Sequence, residues 1–185
     1  MPMTSFRRWP SPRQLFGSSR SLVTIVLSVG LAIAPSQAAT VVGTFNDWTL
    51  YSNTSAAGKI CFLASTPFAT EPANLKRDPA LLYISAWPSD GVKSEVSVKL
   101  GFPVKKAPDP AANIIGPTPA SFKLFAKDDR VWVADATQEL KLLEAMKKST
   151  KLTVQATSER GTAVTDTYSL AGLTAALQAF AAGCP

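Results

Sequence analysis

The side chains able to do covalent or acid–base chemistry in this 185-residue sequence reduce to two cysteines, Cys61 and Cys184, and a few clustered carboxylates. There is no histidine. That removes the commonest general base and the commonest transition-metal ligand together, and with them every Ser-His-Asp or Cys-His arrangement. No Gly-x-Ser-x-Gly, Ser-x-x-Lys or phosphate-loop pattern occurs either. Asp128 and Asp129 are adjacent, but Asp favours turns and the flanking residues read as a turn. Asp78-Pro79 and Asp109-Pro110 are turn dipeptides of the same kind. Hydrolysis by paired carboxylates would need the fold to bring two distant acids to either side of a bond. A zinc site, once the cysteines are bonded to each other, would have carboxylates alone to draw on, an unusual donor set. The expectation is a protein with no catalytic residues, no metal and no cofactor, and not an enzyme.

Whether the cysteines pair depends on the compartment, and the N-terminal residues set that expectation. Arg7, Arg8, Arg13 and Arg20 precede an apolar run, Leu22 to Ala34, with no acidic residue among them. Pro35 and the small-residue stretch Ser36-Gln37-Ala38-Ala39 follow. This is the order of a secretory signal peptide over residues 1–38, cut between Ala38 and Ala39. The apolar run of 13 residues is short against the roughly 20 needed to span a bilayer. Arg7-Arg8 stands more than a dozen residues before that run, too far for a good twin-arginine signal, and no cysteine lies near the cut to accept a lipid. The expected location is periplasmic or secreted. In such an oxidising compartment two cysteines have one possible connectivity, a Cys61–Cys184 disulfide that pins the penultimate residue to an apolar strand, Lys59 to Ser65.

Export also changes the charge argument. The chain carries 19 basic and 13 acidic residues, a net of +6. Four of the basic residues and none of the acids lie in 1–38, so residues 39–185 hold 15 against 13, a net of +2. The remaining basic pairs (Lys76-Arg77, Lys105-Lys106, Lys147-Lys148) are scattered, which excludes a nucleic-acid stripe. No second apolar stretch could span a membrane, so no stable membrane insertion of the mature chain is expected.

Residues 39–185 have the length of one ordinary domain. Asp47–Ser52 alternates, with Trp48 and Leu50 on one face, and pairs with Lys59–Ser65. Leu81–Trp87 and Glu95–Leu100 flank the turn Pro88-Ser-Asp-Gly91, with Val96, Val98 and Leu100 inward and Glu95, Ser97 and Lys99 outward. Phe122–Ala126 and Arg130–Ala134 flank Lys127-Asp-Asp129, and Lys151–Thr157 and Thr162–Tyr168 flank Ser158-Glu-Arg-Gly161. Thr66–Pro79 and Gly101–Pro119 are proline-rich and read as loops, the second with room for a short strand around Asn113–Ile115. One helix is predicted over Ala136–Lys148, capped by Asp135 with Gln138 three residues on, its apolar stripe formed by Leu140, Leu143 and Met146 with Leu142. A second, over Leu173–Ala181, would bury Leu173, Leu177 and Phe180. The fold class is therefore mainly β, an antiparallel β-sandwich or open barrel of about eight strands with one or two helices. Trp48, Trp87 and Trp132 each fall in a strand and could line a ligand groove, although aromatic residues favour strands whatever the function.

The pattern has a relative. Asp47-Trp48-Thr-Leu-Tyr51, the strand with Cys61, Leu140–Lys148 running into Lys151-Leu-Thr-Val154, and the closing Tyr168-Ser-Leu-Ala-Gly-Leu-Thr-Ala-Ala-Leu177 together resemble the invasion associated locus B family. The resemblance implies an exported bacterial protein with a mainly β fold over residues 39–185, and it offers no catalytic residues to carry over. Many members of that family carry a cysteine pair ending in Gly-Cys in the region before the helix. Here Lys123–Asp135 has none, and the chain closes on Gly183-Cys184 instead. The leading expectation is a non-enzymatic protein acting by binding a protein or glycan of the cell envelope or a host surface. The alternatives are a small-ligand or inhibitor-type module using Gly101–Pro119 as its contact loop, and a carboxylate-based hydrolase.

Overall fold

The computed structural model describes residues 38–56 and 58–184. Residues 1–37, which hold nearly all of the signal-peptide assignment, lie outside them; Ala38 and Ala39, the two sides of the expected cut, are irregular chain ahead of the first strand. The strands are β1 (Thr40–Phe45), β2 (Trp48–Ser55), β3 (Gly58–Ser65), β4 (Ala69–Glu71), β5 (Leu81–Trp87), β6 (Val92–Lys99), β7 (Ala111–Ile115), β8 (Ala120–Lys127), β9 (Arg130–Val133), β10 (Lys151–Thr157) and β11 (Ala163–Ser169). The helices are α1 (Ala136–Lys147) and α2 (Leu173–Gly183). The strands form one antiparallel sheet of 11, in the order β1-β2-β3-β5-β6-β9-β8-β7-β10-β11-β4, with β1 and β4 at its open ends. Strict alternation drives this arrangement. In β10 and β11, Leu152, Val154, Ala156 and Tyr168 point inward and share one core with Trp48, Leu50, Leu63 and Ile84 from the other half of the sheet. Among the described residues no helix is long and apolar enough to cross a membrane.

The class expected from sequence is the class observed, but the strand count is higher. Beyond the eight hairpin strands stand β1, β4 and β7, the last where the sequence left room for a short strand around Asn113–Ile115. β7 is the instructive one, because it pairs with both β8 and β10 and is therefore central. Prolines remove ladder donors only where they sit. Here Pro108 and Pro110 precede the strand and Pro117 and Pro119 follow it, leaving five proline-free residues able to pair on both sides. β4 is a three-residue edge strand on β11, in a stretch read as loop.

Two side chains differ in exposure from what the periodicity implies. Leu140 is 62% exposed, whereas Leu142, Leu143 and Met146 are buried. Glu139 takes the inward place on α1 that Leu140 was expected to hold, and the reason lies on β6. β9 is only four residues long and pairs with β6 from Ser97 to Lys99. The amide of Val96 donates instead to the Glu139 carboxylate, which also accepts from the Ser94 hydroxyl at 3.1 Å. The start of α1 is held in place by Asp135, whose carboxylate accepts the Gln138 amide at 2.9 Å as predicted, a cap worth about 1 kcal/mol. Ser97 is the other difference. It points outward as expected yet is buried, because its register neighbours are Tyr83 and Trp132.

Burial raises the Glu139 carboxyl above its ordinary pKa; the bonds from Val96 and Ser94 oppose this, and the Glu95 charge adds to it. A raised folded-state value means that folding favours the protonated acid. The contribution is fully present below the ordinary carboxylate value and is lost as pH rises through the elevated one. Glu139→Gln keeps an acceptor for both bonds and removes the ionisation. It should therefore gain stability relative to the parent between about pH 4 and pH 7, modestly, since solvent screens a partly exposed group. Paired thermal melts at the two pH values check this, and a pH-independent difference would contradict it.

α2 closes the end of the fold beside β1, β2 and β3. Its N-cap is Gly172, with φ of 85°, where a side chain would collide with the Phe45 carbonyl. Leu173, Ala176 and Phe180 are buried, and Leu177 packs against the same core from its margin. Trp48 is fully buried, and its indole N–H donates to the Ser169 carbonyl at 3.2 Å, joining the first strand of the recognised pattern to the last.

Candidate functional site

Cys61 and Cys184 are bonded, with Cα atoms 6.2 Å apart. The bond ties the C-terminal turn of α2 to β3, where Cys61 is buried. Lys59 Nζ also donates to the Gly183 carbonyl beside it. The corner is a staple, and a bonded cysteine supplies no thiolate.

The clustered acids stay at turns. Asp128 adopts φ of 55° in the two-residue β8–β9 turn. The carbonyls of Asp128 and Asp129 accept the amides of Val104 and Leu100, each at 2.8 Å, so this turn anchors the segment that follows β6. The Asp129 carboxylate stands 3.9 Å from Lys99, and that of Asp109 3.9 Å from Lys123. Asp78 is exposed, its amide bonded to the Gly101 carbonyl. Among the described residues no group of three or more cysteine and carboxylate side chains is placed to hold a metal ion.

Two surface features stand out: a cleft beside the Gly101–Pro119 segment that the sequence marked as a contact loop, and a row of aromatic side chains of which the sequence marked only Trp132. The first is a cleft of about 430 Å³ where the start of the Gly101–Pro119 segment meets the β10–β11 hairpin. The segment is stitched across two turns: the amide of Lys105 donates to the Thr157 carbonyl at 2.8 Å, and that of Glu159 to the Pro103 carbonyl at 2.9 Å. Gly101 turns the chain with φ of 73°, at a point where a side chain would strike the Asp78 backbone. Leu75, Phe102 and the buried Val164 form the apolar lining, while Lys76, Glu159 and Arg160 stand exposed at the rim.

One wall of this cleft is Arg77, fixed by a buried ion pair with Asp166 on β11. Asp166 is fully buried and Arg77 nearly so. The guanidinium grips both carboxylate oxygens, donates to the Leu100 carbonyl at 2.8 Å and to the Thr70 hydroxyl at 3.1 Å, and lies 5.7 Å from the Phe102 ring centre. Thr70 in turn donates to Asp166 at 2.7 Å. Four of the five guanidinium N–H groups are thereby used, so Arg77 builds the wall and has little left for a ligand. Next to Asp166, burial and then the Asp166 charge push the Tyr168 hydroxyl far above its ordinary pKa, with Arg77 opposing, which keeps it neutral.

The second feature is a row of aromatic side chains across the solvent face of the sheet, from β2 to β8. Tyr51 and Phe62 stack at 4.9 Å and 13°, and Phe62 meets Tyr83 edge-on at 5.9 Å. Beyond the small Ser97, Trp132 and Phe125 stack at 5.4 Å and 16°. Arg130 lies over Tyr83 at 5.3 Å, and Trp132 donates its indole N–H to Glu95 at 3.2 Å. Phe125 is 48% exposed and the other rings are half-buried. Of the three expected groove tryptophans, Trp48 is core, Trp87 sits half-buried at the end of β5, and only Trp132 joins the row. The signal that would have found the row is parity: Tyr51, Phe62, Tyr83, Phe125 and Trp132 all occupy the outward positions of their strands.

An open, single-core antiparallel β fold with a C-terminal disulfide staple and an aromatic row on its outward face defines the class. The family model for invasion associated locus B (IalB) protein matches residues 48–181, and the chain belongs to that family. No curated protein and no solved structure matches the chain.

Proposed function

We propose that the chain is an exported, non-enzymatic member of the invasion associated locus B family that works by docking a protein of the cell envelope or a host surface onto the aromatic row of its sheet. The observation that carries this is the row itself. A monomeric soluble protein has no structural need for five large aromatic side chains on the outward positions of one sheet face. Tyr, Trp and Arg are also the residues that dominate binding energy at protein interfaces. The arrangement favours a protein over a glycan, because every ring already packs against another and Arg130 covers Tyr83. A sugar needs free ring faces, whereas a protein surface can pack on the exposed edges and the flanking charges. The disulfide and the family support export into an oxidising compartment.

Capture from envelope extracts with the chain from residue 39, compared with the same protein carrying Phe125→Ala and Trp132→Ser, tests the reading. A partner held by the first and lost by the second is the expected result, with a weakening on the order of 30-fold or more if the pair forms a hot spot. Equal capture by both proteins, or none by either, overturns it.

A further inference from the structure

The cleft at Gly101–Pro103 is separate from the aromatic row, and its chemistry is different. We infer that it is a binding site for a small organic carboxylate with a compact apolar body. Its volume, about 430 Å³, falls in the range of ligand pockets, roughly 300–1,000 Å³. The lining is divided in the way such a ligand requires. Leu75, Phe102 and Val164 give an apolar lining to a ring or short chain. At the rim stand two cations, Lys76 and Arg160, against one acid, Glu159.

Ion-pair status makes the charge count meaningful. Among the described residues, none of Lys76, Arg160 and Glu159 makes an ion pair, so the rim carries a net single positive charge, whereas Arg77 in the wall is neutralised by Asp166. The cleft therefore presents two uncommitted positive side chains beside an apolar lining whose wall is fixed. The site is also preformed. Gly101, the backbone bonds from Lys105 and Glu159, and the Arg77 guanidinium hold three of its sides in one geometry, so little ordering cost remains for a ligand to meet. An amine would meet repulsion at the rim, and a neutral molecule of the same shape would have only the apolar lining to bind.

The test uses three probes sharing one ring and differing in charge: phenylacetate, phenylacetamide and 2-phenylethylamine. Each is titrated into the isotopically labelled protein beginning at residue 39, with backbone amide shifts followed by NMR. Phenylacetate should move the amides of residues 75–77, 101, 102, 104, 105 and 158–164. It should bind about fivefold more tightly than phenylacetamide at low salt, the effect expected of two solvent-exposed ion pairs. The amine should bind weakest. Lys76→Glu combined with Arg160→Glu should abolish the preference for the acid while leaving the phenylacetamide shifts unchanged, which also shows that the cleft still folds. Equal affinity for acid and amide, tighter binding of the amine, no shifts with any probe, or shifts confined to the aromatic row would each overturn the assignment. Loss of partner capture by the aromatic-row variant would leave this result untouched, so the two readings fail separately.

Discussion

Arg77→Met should destabilise the protein by about 3–5 kcal/mol, the cost of leaving a buried charge without its partner. Asp166 has no exposed surface, and among the described residues its carboxylate is bonded, apart from Arg77, only by the Thr70 hydroxyl. Taking away the guanidinium leaves an anion in the core and frees the Leu100 carbonyl, which now accepts from Arg77 at 2.8 Å. It also frees Thr70 from one of its two bonds, loosening β4 from the edge of β11. The double substitution Arg77→Met with Asp166→Leu removes both charges at once and should recover most of the loss, because a buried pair is seldom much better than well-packed apolar side chains. Urea unfolding of the parent, the single and the double variant measures all of this. A single variant within about 1 kcal/mol of the parent would mean that water reaches Asp166 and that the pair does not fix the wall of the cleft.

That pair also shows where sequence reading stops. Arg77 and Asp166 are 89 positions apart, and each has the composition of ordinary surface. One stands in a proline-rich stretch, the other in a strand whose alternation gives every second residue an inward place. Parity alone would have put Asp166 in the core, between Val164 and Tyr168. What parity could not supply was the identity of the cation, because loops reach inward at positions set by tertiary packing. The aromatic row was readable by the same rule, strand by strand. Its continuity was not, since the order β2-β3-β5-β6-β9-β8 is a property of the sheet and not of any one hairpin.

The legible parts share one feature: the signal is local. The predicted hairpins flank turn residues with strong backbone preferences, such as Asp128-Asp129 and Gly91, and the structure places them there. The Asp135 cap likewise depends on residues three positions apart. The missed parts answer to distant partners. β7, for which the sequence left room only as a short strand, is central because β8 and β10 both pair with it, and on α1 it is Glu139, bonded to Ser94 of β6, that turns inward while Leu140 stays exposed. The fold class survives these misses, since it depends on alternation and turns, whereas the cleft and the aromatic row depend on which strands become neighbours.

Replacing both Cys61 and Cys184 by Ala should cost about 2–5 kcal/mol, with the upper figure set by the entropy of the unfolded chain. The bond joins residues 123 positions apart, nearly the whole of the chain that follows Ala38. Few cross-links in a chain this size could restrict its unfolded state more. The native side of the balance is smaller and local. Cys61 is buried in β3, and its loss leaves a modest void beside Phe180. Without the bond, the last turn of α2 keeps the Lys59 contact to Gly183 and the Cys184 backbone bond to Phe180, whereas Leu173 and Ala176 remain in the core. The expected pattern is thus a fall in the thermal midpoint on the order of 10 °C, with hydrogen exchange accelerated over residues 181–184 and little changed over 173–177. Reduction of the parent protein should reproduce both effects. Exchange that rises uniformly along α2 would show that the bond holds the whole helix in place, and a midpoint that does not move would show that the unfolded chain gains nothing from its release.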